Sequence, residues 1–222
     1  MSVVIDHLVV AAASLDQGVA WCEATLGVTP GPGGKHALMG THNRLFNIST
    51  EAFPHCFFEI LAVDPHAPAP GRARWFGLDQ LDLSRGPRLL HTVARSTMLD
   101  MHRWGLIAAG LTPGEPLHAG RDTPSGRLSW QMLVREDGAL LCGGALPTLI
   151  QWDGRHPAEG MPASGVTLRG LELGGLPERA RDVLRLRGVQ VRTTPEPAPG
   201  PALRALLATP LGDVTLTTHT HG

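Results

Sequence analysis

The stretch that decides the fold is VVIDHLVV, which occupies residues 3–10. Only Asp6 and His7 interrupt its apolar residues, and such a run is typical of a strand that is buried on both faces. A helix is predicted next, because Ser14 can accept a hydrogen bond from the first turn and Gly27 can end the last one. The beginning of the chain therefore predicts a buried strand followed by a helix.

The same order of elements recurs twice further along the chain, with additional strands closing each copy. The predicted strands outside the first stretch are residues 44–49 and 56–63 in the first copy, 88–95, 127–134 and 146–152 in the second, and 166–173, 206–209 and 213–217 in the third. The predicted helices of the second and third copies are residues 97–110 and 177–186. We therefore divide the chain into a first module at residues 1–65, a connector at 66–87, a second module at 88–153, and a second connector with the third module at 154–222.

Composition excludes several classes of protein. Hydrophobic residues make up 42% of the chain and charged residues 18%, which suffices for a buried core, and a net charge of −1 gives no attraction to nucleic acid or anionic membranes. No apolar run is long enough to span a membrane, and the N-terminus lacks the basic region of a signal peptide. The three cysteines are an odd number in apolar neighbourhoods, which predicts reduced thiols in a cytoplasmic protein.

Two of the copies carry a histidine on the first strand and a carboxylate or amide on the last. His7 and Glu59 take these places in the first copy, and His91 and Gln151 in the second. A lone carboxylate inside the apolar run at residues 56–63 either faces solvent, pairs with an arginine, or has a functional partner such as a metal. If the two copies face each other, two imidazoles and two oxygen donors converge, a set that suits Zn, Ni, Co, Mn or Fe(II).

Five short segments share a pattern with one known superfamily. They are IDHLV at residues 5–9, GTHNRL at 40–45, FEIL at 58–61, RWFGLD at 74–79 and LPTLIQW at 146–152. On these segments the sequence resembles the vicinal oxygen chelate superfamily, and in particular its bacterial glyoxalase-like members. The resemblance falls within residues 3–153, so the third copy is less clearly matched.

The resemblance implies a fold, a cofactor and a kind of partner. The fold is α+β, with paired βαβββ modules of the glyoxalase-like type, to which the third copy of the repeat adds a partial βαββ module at the C-terminus. The cofactor is a divalent metal ion held by His7, Glu59, His91 and Gln151, with substrate oxygens completing its coordination. The partner is a small-molecule substrate.

Three polar residues of the first module are candidates for substrate contacts. His42 and Asn43 precede a predicted strand at the expected pocket mouth, and Arg44 can present a planar fork to a carboxylate. A turn before a strand also favours Asn, and an arginine is often a solvated surface charge. Both interpretations of these three residues stay open at this point.

Three functions are compatible with these residues. The first is a metal-dependent isomerase or lyase acting on vicinal oxygens, with Glu59 as the base that removes a proton. The second is an extradiol-type dioxygenase, in which His7, His91 and Glu59 form a 2-His-1-carboxylate triad around Fe(II). The third is a protein that binds a small molecule or an antibiotic without catalysis, in a cleft with aromatic walls.

The sequence leaves the assembly of the modules open. The first two modules pair either within one chain or across a homodimer, and the third module either covers a sheet edge or contributes to a dimer interface. The C-terminal His219 and His221 are predicted to belong to a frayed tail.

Overall fold

The computed structural model describes residues 3–123, 126–192 and 200–218, and His219 and His221 lie outside these ranges. The strands are β1 (Val4–Ala11), β2 (Gly31–His36), β3 (Thr41–Asn47), β4 (Phe57–Val63), β5 (Arg88–Arg95), β6 (Glu115–Thr123), β7 (Gly126–Val134), β8 (Thr148–Asp153), β9 (Thr167–Gly174), β10 (Val189–Arg192), β11 (Leu203–Thr209) and β12 (Gly212–Thr217). The helices are α1 (Leu15–Leu26), α2 (Leu99–Ala108) and α3 (Glu178–Leu184), with short 3-10 segments at Trp75–Gln80, Cys142–Gly144 and Pro157–Gly160.

The first helix begins and ends where the sequence predicts. Ser14 Oγ accepts a hydrogen bond from the backbone N–H of Gln17 at 3.1 Å, and Gly27 ends the helix in the left-handed conformation at φ 71°. The start of α2 differs from the prediction. Met98, and not Thr97, stands at its N-cap, and neither side chain caps the helix.

The first two modules form one eight-stranded sheet in the order β2-β3-β4-β1-β5-β8-β7-β6. β1 pairs antiparallel with β5, so the modules join through their first strands within one chain. Each first strand also pairs in parallel with the last strand of its own module, β4 or β8. The edge strands β2 and β6 contact each other because the sheet curls strongly. The result is a nearly closed wall around a concave interior.

The two edge strands of this sheet are not among the strands predicted from the sequence. β2 has the sequence GPGGKH, and β6 has EPLHAGRDT. Both are rich in residues that are depleted from strands, and neither has a continuous apolar run. Their edge position explains this composition, because an edge strand tolerates proline and polar residues that a central strand does not.

The C-terminal module covers the convex face of the large sheet. Its strands form a second sheet in the order β10-β9-β11-β12, with β10 as a strand beyond those predicted. Leu171, Leu203 and Leu207 join the same core as α1, α2 and the convex face. The Leu168 N–H donates to the Ile48 carbonyl at 3.0 Å and ties the two sheets together. The module thus packs on a face of the large sheet, while a role at a dimer interface stays a prediction.

The architecture confirms the predicted α+β class with paired βαβββ modules and a C-terminal addition. None of the helices in the described ranges combines the length and apolar character needed to cross a membrane. Cys22 and Cys56 are buried. Burial raises the pKa of the Cys22 thiol to about 12 and that of Cys56 well above its usual range, so both thiols stay protonated.

Candidate active site

Two β-bulges lie in the middle of the large sheet, one in each first strand. Asp6 in β1 and Leu90 in β5 are the residues that find no partner across the β1–β5 pairing. Each bulge brings its residue to the concave side, beside the histidine that follows it. The first module therefore presents Asp6 and His7 to the interior, and the second presents Leu90 and His91.

Asp6 is a buried carboxylate with several hydrogen-bond donors around it. Its Oδ1 lies 2.7 Å from His7 Nδ1. Its Oδ2 accepts from Trp152 Nε1 at 3.0 Å, lies 2.9 Å from His156 Nε2, and is 3.5 Å from an Arg95 nitrogen. Burial by itself raises the pKa of Asp6, but the hydrogen bonds from His156 and His7 hold that pKa well below its ordinary range. The ionised Asp6 thus accepts the Nδ1 proton of His7, and Nε2 is left to face the cavity.

His7 Nε2 faces the Glu59 carboxylate across 3.5 Å. The two residues are only 4% and 5% exposed, and the Phe57 ring stacks on His7 with the centroids 4.4 Å apart. The other oxygen of Glu59 accepts a hydrogen bond from Asn43 Nδ2 at 2.6 Å. Asp6 therefore holds the imidazole and Asn43 holds the carboxylate, each from the side away from the other.

Asn43 is itself fixed by its neighbours. Its Oδ1 accepts from the Gly34 N–H at 2.8 Å and from Arg121 Nη1 at 3.2 Å. Its Nδ2 lies 3.3 Å from His36 Nε2. Burial, with a smaller contribution from the nearby Arg121 guanidinium, lowers the pKa of His36 to about 3, so His36 is neutral and accepts from Asn43. This arrangement determines which end of the Asn43 amide faces Glu59.

An inner cavity surrounds the His7–Glu59 pair. Its free space is about 30 Å³, room for roughly two water molecules. Most of its walls are apolar or aromatic: Leu45, Phe57, Trp75, Phe76, Trp130, Met132, Ile150 and Trp152. The cavity adjoins a cleft of about 840 Å³, and Leu45, Arg121 and Pro157 line both spaces. The pair thus lies at the water-poor end of a cleft large enough for a small molecule.

The second module does not repeat this pair. His91 Nε2 accepts a hydrogen bond from the Thr148 backbone N–H at 3.1 Å and lies 3.0 Å from its Oγ1. In the pairing of first and last strands, Thr148 occupies the position that corresponds to Glu59. Burial, with a smaller contribution from His7, lowers the pKa of His91 to about 3, so this imidazole is neutral. The Phe76 ring packs against it with the centroids 5.2 Å apart.

Gln151 lies on the opposite face of the sheet, which corrects its predicted match with Glu59. Ile150 and Trp152 line the inner cavity, so alternation along β8 points Gln151 to the helix side. There its Oε1 accepts a hydrogen bond from the Leu99 N–H at 3.0 Å and caps the start of α2. The segment before β8 is longer than its counterpart before β4, so counting from the histidine could not fix the register.

The described residues do not fit the four-donor metal site that the resemblance implies. Of its members, the structure brings only His7 and Glu59 together. The Nε2 lone pair of His91 is taken by Thr148, and Gln151 faces the helix. Across the described ranges, no three His, Cys, Asp or Glu side chains are grouped so as to hold a metal ion, whereas zinc sites use three or four protein ligands. The proposed 2-His-1-carboxylate triad is not assembled for the same reason.

Of the three predicted substrate contacts, only Asn43 lines the inner cavity. His42 and Arg44 alternate with it along β3 and therefore lie on the other face of the sheet. Asp6 and Arg121 are site residues that were not predicted from the sequence. Asp6 carried a signal, as a second polar residue in a buried strand, whereas Arg121 lies on an edge strand that had not been predicted.

Residues 5–191 match the model of a protein family described as a glyoxalase-like domain. Among solved structures, a hypothetical protein from Staphylococcus aureus has a TM-score of 0.57 at 14% sequence identity, covering 97% of this chain and 85% of that one. This similarity shows the fold alone. Methylmalonyl-CoA epimerase from Streptomyces coelicolor aligns with 67% of this chain and 92% of its own at 16% identity and a TM-score of 0.42. The enzyme of that name from Mycobacterium tuberculosis aligns with 67% and 85% at 18% identity and a TM-score of 0.39.

Proposed function

The chain belongs to the family of glyoxalase-like domains, and on that premise we propose that it is an isomerase or lyase that moves a proton on a small substrate with vicinal oxygens. Glu59 is the proposed base. The observation that carries the proposal is the buried pair of His7 and Glu59, separated by 3.5 Å at the end of a cleft. Two titratable groups held this close in a water-poor cavity can remove a proton and return it.

The reaction needs an acceptor and a donor beside one carbon atom. Glu59 takes the proton from a carbon next to a carbonyl group, which leaves an enolate. His7 gives the proton on Nε2 to the enolate, and the ionised Asp6 stabilises the positive charge that His7 carries before this step. Glu59 then passes its own proton to His7, which restores both groups. Asn43 keeps the Glu59 carboxylate facing the reacting carbon.

The divalent ion implied by the resemblance, whether Zn, Ni, Co or Mn, stays a prediction. His7 and Glu59 are the donors that the inner cavity offers it, and a bound ion would supply positive charge to substrate oxygens. The proton transfers between the substrate, Glu59 and His7 use side chains alone. Elemental analysis of tag-free protein tests this prediction, since one ion per chain that is lost in both His7→Asn and Glu59→Gln would assign the ion to this pair.

The proposed proton transfer is tested by hydrogen exchange with solvent. Wild-type protein in D₂O is mixed with a panel of 2-hydroxy ketones, 2-oxo aldehydes and 2-oxo acids, and loss of the C–H signal next to the carbonyl is followed by NMR. We expect Glu59→Gln to slow exchange by about 100-fold or more, because the amide cannot accept a proton. Glu51→Gln is the matched control, since Glu51 is exposed at the surface and lies outside the cavity lining.

Two results would contradict the proposal. Exchange that persists in Glu59→Gln would remove Glu59 as the base. Absence of exchange with the whole panel, for wild-type protein whose fold is verified by circular dichroism, would remove the enzymatic function.

A binding protein without catalysis is the second candidate, and the aromatic walls favour it. Trp130 and Trp152 lie in contact with their ring centroids 5.3 Å apart, and both line the inner cavity. Such surfaces bury apolar ligands effectively. Micromolar binding of an aromatic compound, measured by tryptophan fluorescence, together with absence of exchange would establish this function.

The cellular setting stays a prediction. Thiols at Cys22 and Cys56, which form no disulfide, favour the reducing cytoplasm. Pairing of the first two modules within the chain makes the cavity complete in a single protomer, so the proposed activity does not require a homodimer. Sedimentation analysis measures that state directly.

A further inference from the structure

Arg121 reaches the inner cavity from the edge of the second module. It belongs to β6, and it lines both the inner cavity and the outer cleft. Its guanidinium lies over Gly34 of β2, so closely that a Cβ atom at Gly34 would overlap Nη1. The glycine therefore leaves the space through which the arginine passes to Asn43, at the point where the two sheet edges meet.

Among the residues that the structure describes, Arg121 has no ion-pair partner. Its Nη1 donates to the neutral Asn43, and its buried Nε finds no hydrogen-bond acceptor in those same parts of the chain. Within the described ranges, no carboxylate lies within 4 Å of its nitrogen atoms. Burial lowers the pKa of Arg121, and the charge of Glu59 opposes this effect. An arginine stays protonated in proteins, so a largely buried cation here faces the site with unused donors.

Other arginines of the chain show what an ordinary structural contact looks like. Arg74 pairs with Asp79 at 2.6 Å, and Arg103 pairs with Glu115. Both guanidinium groups are partly buried, and each has a carboxylate partner. Arg121 is partly buried like these two, but its hydrogen-bond partner among the described residues is a neutral amide and not a carboxylate, which is the arrangement expected where a ligand supplies the missing anion.

We propose that Arg121 recognises a carboxylate on the substrate and thereby makes small monocarboxylates the substrate class of the His7–Glu59 site. The planar fork of a guanidinium matches the two oxygens of a carboxylate. Arg121 lies where the cleft narrows into the cavity, so a carboxylate bound there directs the adjoining carbon toward the pair. A phosphate dianion suits the position less well, because it would bring a second negative charge close to Glu59.

This inference rests on the proposed function for its orientation, but its test does not require turnover. Binding is measured by calorimetry for a series of carboxylates from formate to phenylacetate, each compared with its neutral amide, and for methyl phosphate. We expect wild-type protein to bind at least one carboxylate about ten-fold or more tighter than the matched amide. Arg121→Gln is expected to remove this preference. Arg121→Lys is expected to retain part of it, because lysine keeps the positive charge but lacks the planar guanidinium that binds both carboxylate oxygens.

Two further variants separate recognition from folding. Gly34→Ala leaves Arg121 in place in the sequence but fills the space under its guanidinium, and we expect it to weaken carboxylate binding. Arg204→Gln, on β11 of the C-terminal sheet, removes an equal charge far from the cavity and is expected to keep the preference. Urea unfolding of each variant verifies that the fold is retained.

The outcomes distinguish this inference from the proposed function. Carboxylate preference in both wild type and Glu59→Gln, without exchange of substrate hydrogen, would support Arg121 and reject the proposed reaction. Exchange without any preference for carboxylates would reject the inference and keep the reaction. Equal binding of acids and amides, preference retained in Arg121→Gln, tighter binding of methyl phosphate, or no carboxylate bound at about 10 mM would each overturn it.

Discussion

The two halves of the eight-stranded sheet have the same arrangement of strands, but the side chains at their centres differ in charge. Three positions match between the halves: Asp6, His7 and Glu59 in the first correspond to Leu90, His91 and Thr148 in the second, and the histidine is shared while the other two differ. The first set holds two carboxylates around an imidazole at the edge of a cavity. The second set is neutral and closely packed.

The comparison shows that a repeated histidine does not make a repeated site. His91 has the same place in its strand as His7, yet it accepts a backbone hydrogen bond and stays neutral. His7 differs because Asp6 fixes one of its nitrogens and Glu59 faces the other. The two halves therefore share a scaffold, while the residues at two neighbouring positions determine the chemistry.

The largest effect is expected when the first half receives the residue of the second at the bulge. Asp6→Leu leaves His7 Nδ1, Trp152 Nε1 and His156 Nε2 without their acceptor, and removing one member of such a buried network costs about 3–5 kcal/mol of unfolding free energy. Urea denaturation measures this loss. Leu90→Met, the matched change in the second half, conserves volume and should cost less than about 1.5 kcal/mol. An Asp6→Leu protein as stable as Leu90→Met would contradict this account.

Asp6→Leu should also change the way in which stability depends on pH in acid solution. Because the pKa of Asp6 is lowered in the folded state, its contribution is complete above the ordinary aspartate pKa of about 4 and is lost as the pH falls below it. As the pH falls below about 4, the unfolding free energy of Asp6→Leu should therefore decrease less than that of the wild type, which urea denaturation in acid measures.

A second effect, which depends on pH and has the opposite origin, is expected from the histidine of the second half. His91 has a pKa of about 3 when folded and a usual value of about 6.5 when unfolded, so between these values the unfolded chain binds the extra proton. As the pH decreases through this window, the unfolding free energy of the wild type should fall by up to about 1.4 kcal/mol per pH unit relative to that of His91→Asn. The asparagine retains an acceptor for Thr148. Urea unfolding between about pH 7 and pH 4 measures the slope. The exposed His118→Asn is the control, and equal slopes for wild type and His91→Asn would reject the prediction.

The smallest effect concerns Gln151, the residue that the sequence matched with Glu59. Its contact is the helix start at Leu99, so Gln151→Ala should cost about 1 kcal/mol, as other lost helix caps do. Hydrogen exchange with substrate should be unchanged, and Gln151→Glu should restore stability because a carboxylate also accepts from the helix N-terminus. Loss of exchange or of a bound ion in Gln151→Ala at unchanged stability would return the residue to the site.

The parts of the fold that the sequence predicts are those with strong local signals. The apolar runs of β1, β4, β5 and β8 and the caps Ser14 and Gly27 mark their elements directly. The edge strands β2 and β6 lack such runs, because their places at the sheet border relax the demand for apolar residues. The resemblance supplies the paired modules that local patterns do not.

The candidate site was only half predictable. His7 and Glu59 stand out as polar residues in buried strands, and the structure brings them together. The position of Gln151 depended on a strand register, where an error of one residue reverses the face. Arg121 comes to the site only because the sheet curls until β2 meets β6, a long-range feature that no local pattern encodes.

Phe76 fills the space beside His91 at the cost of a strained backbone conformation. This residue holds the left-handed conformation at φ 62°, which costs a residue other than glycine about 1–2 kcal/mol, and its ring fills the space beside His91. A single change to glycine would relax the backbone and vacate the ring at once. Because Phe76 also lines the inner cavity, this change would extend that same cavity toward His91 and let it accept a larger ligand.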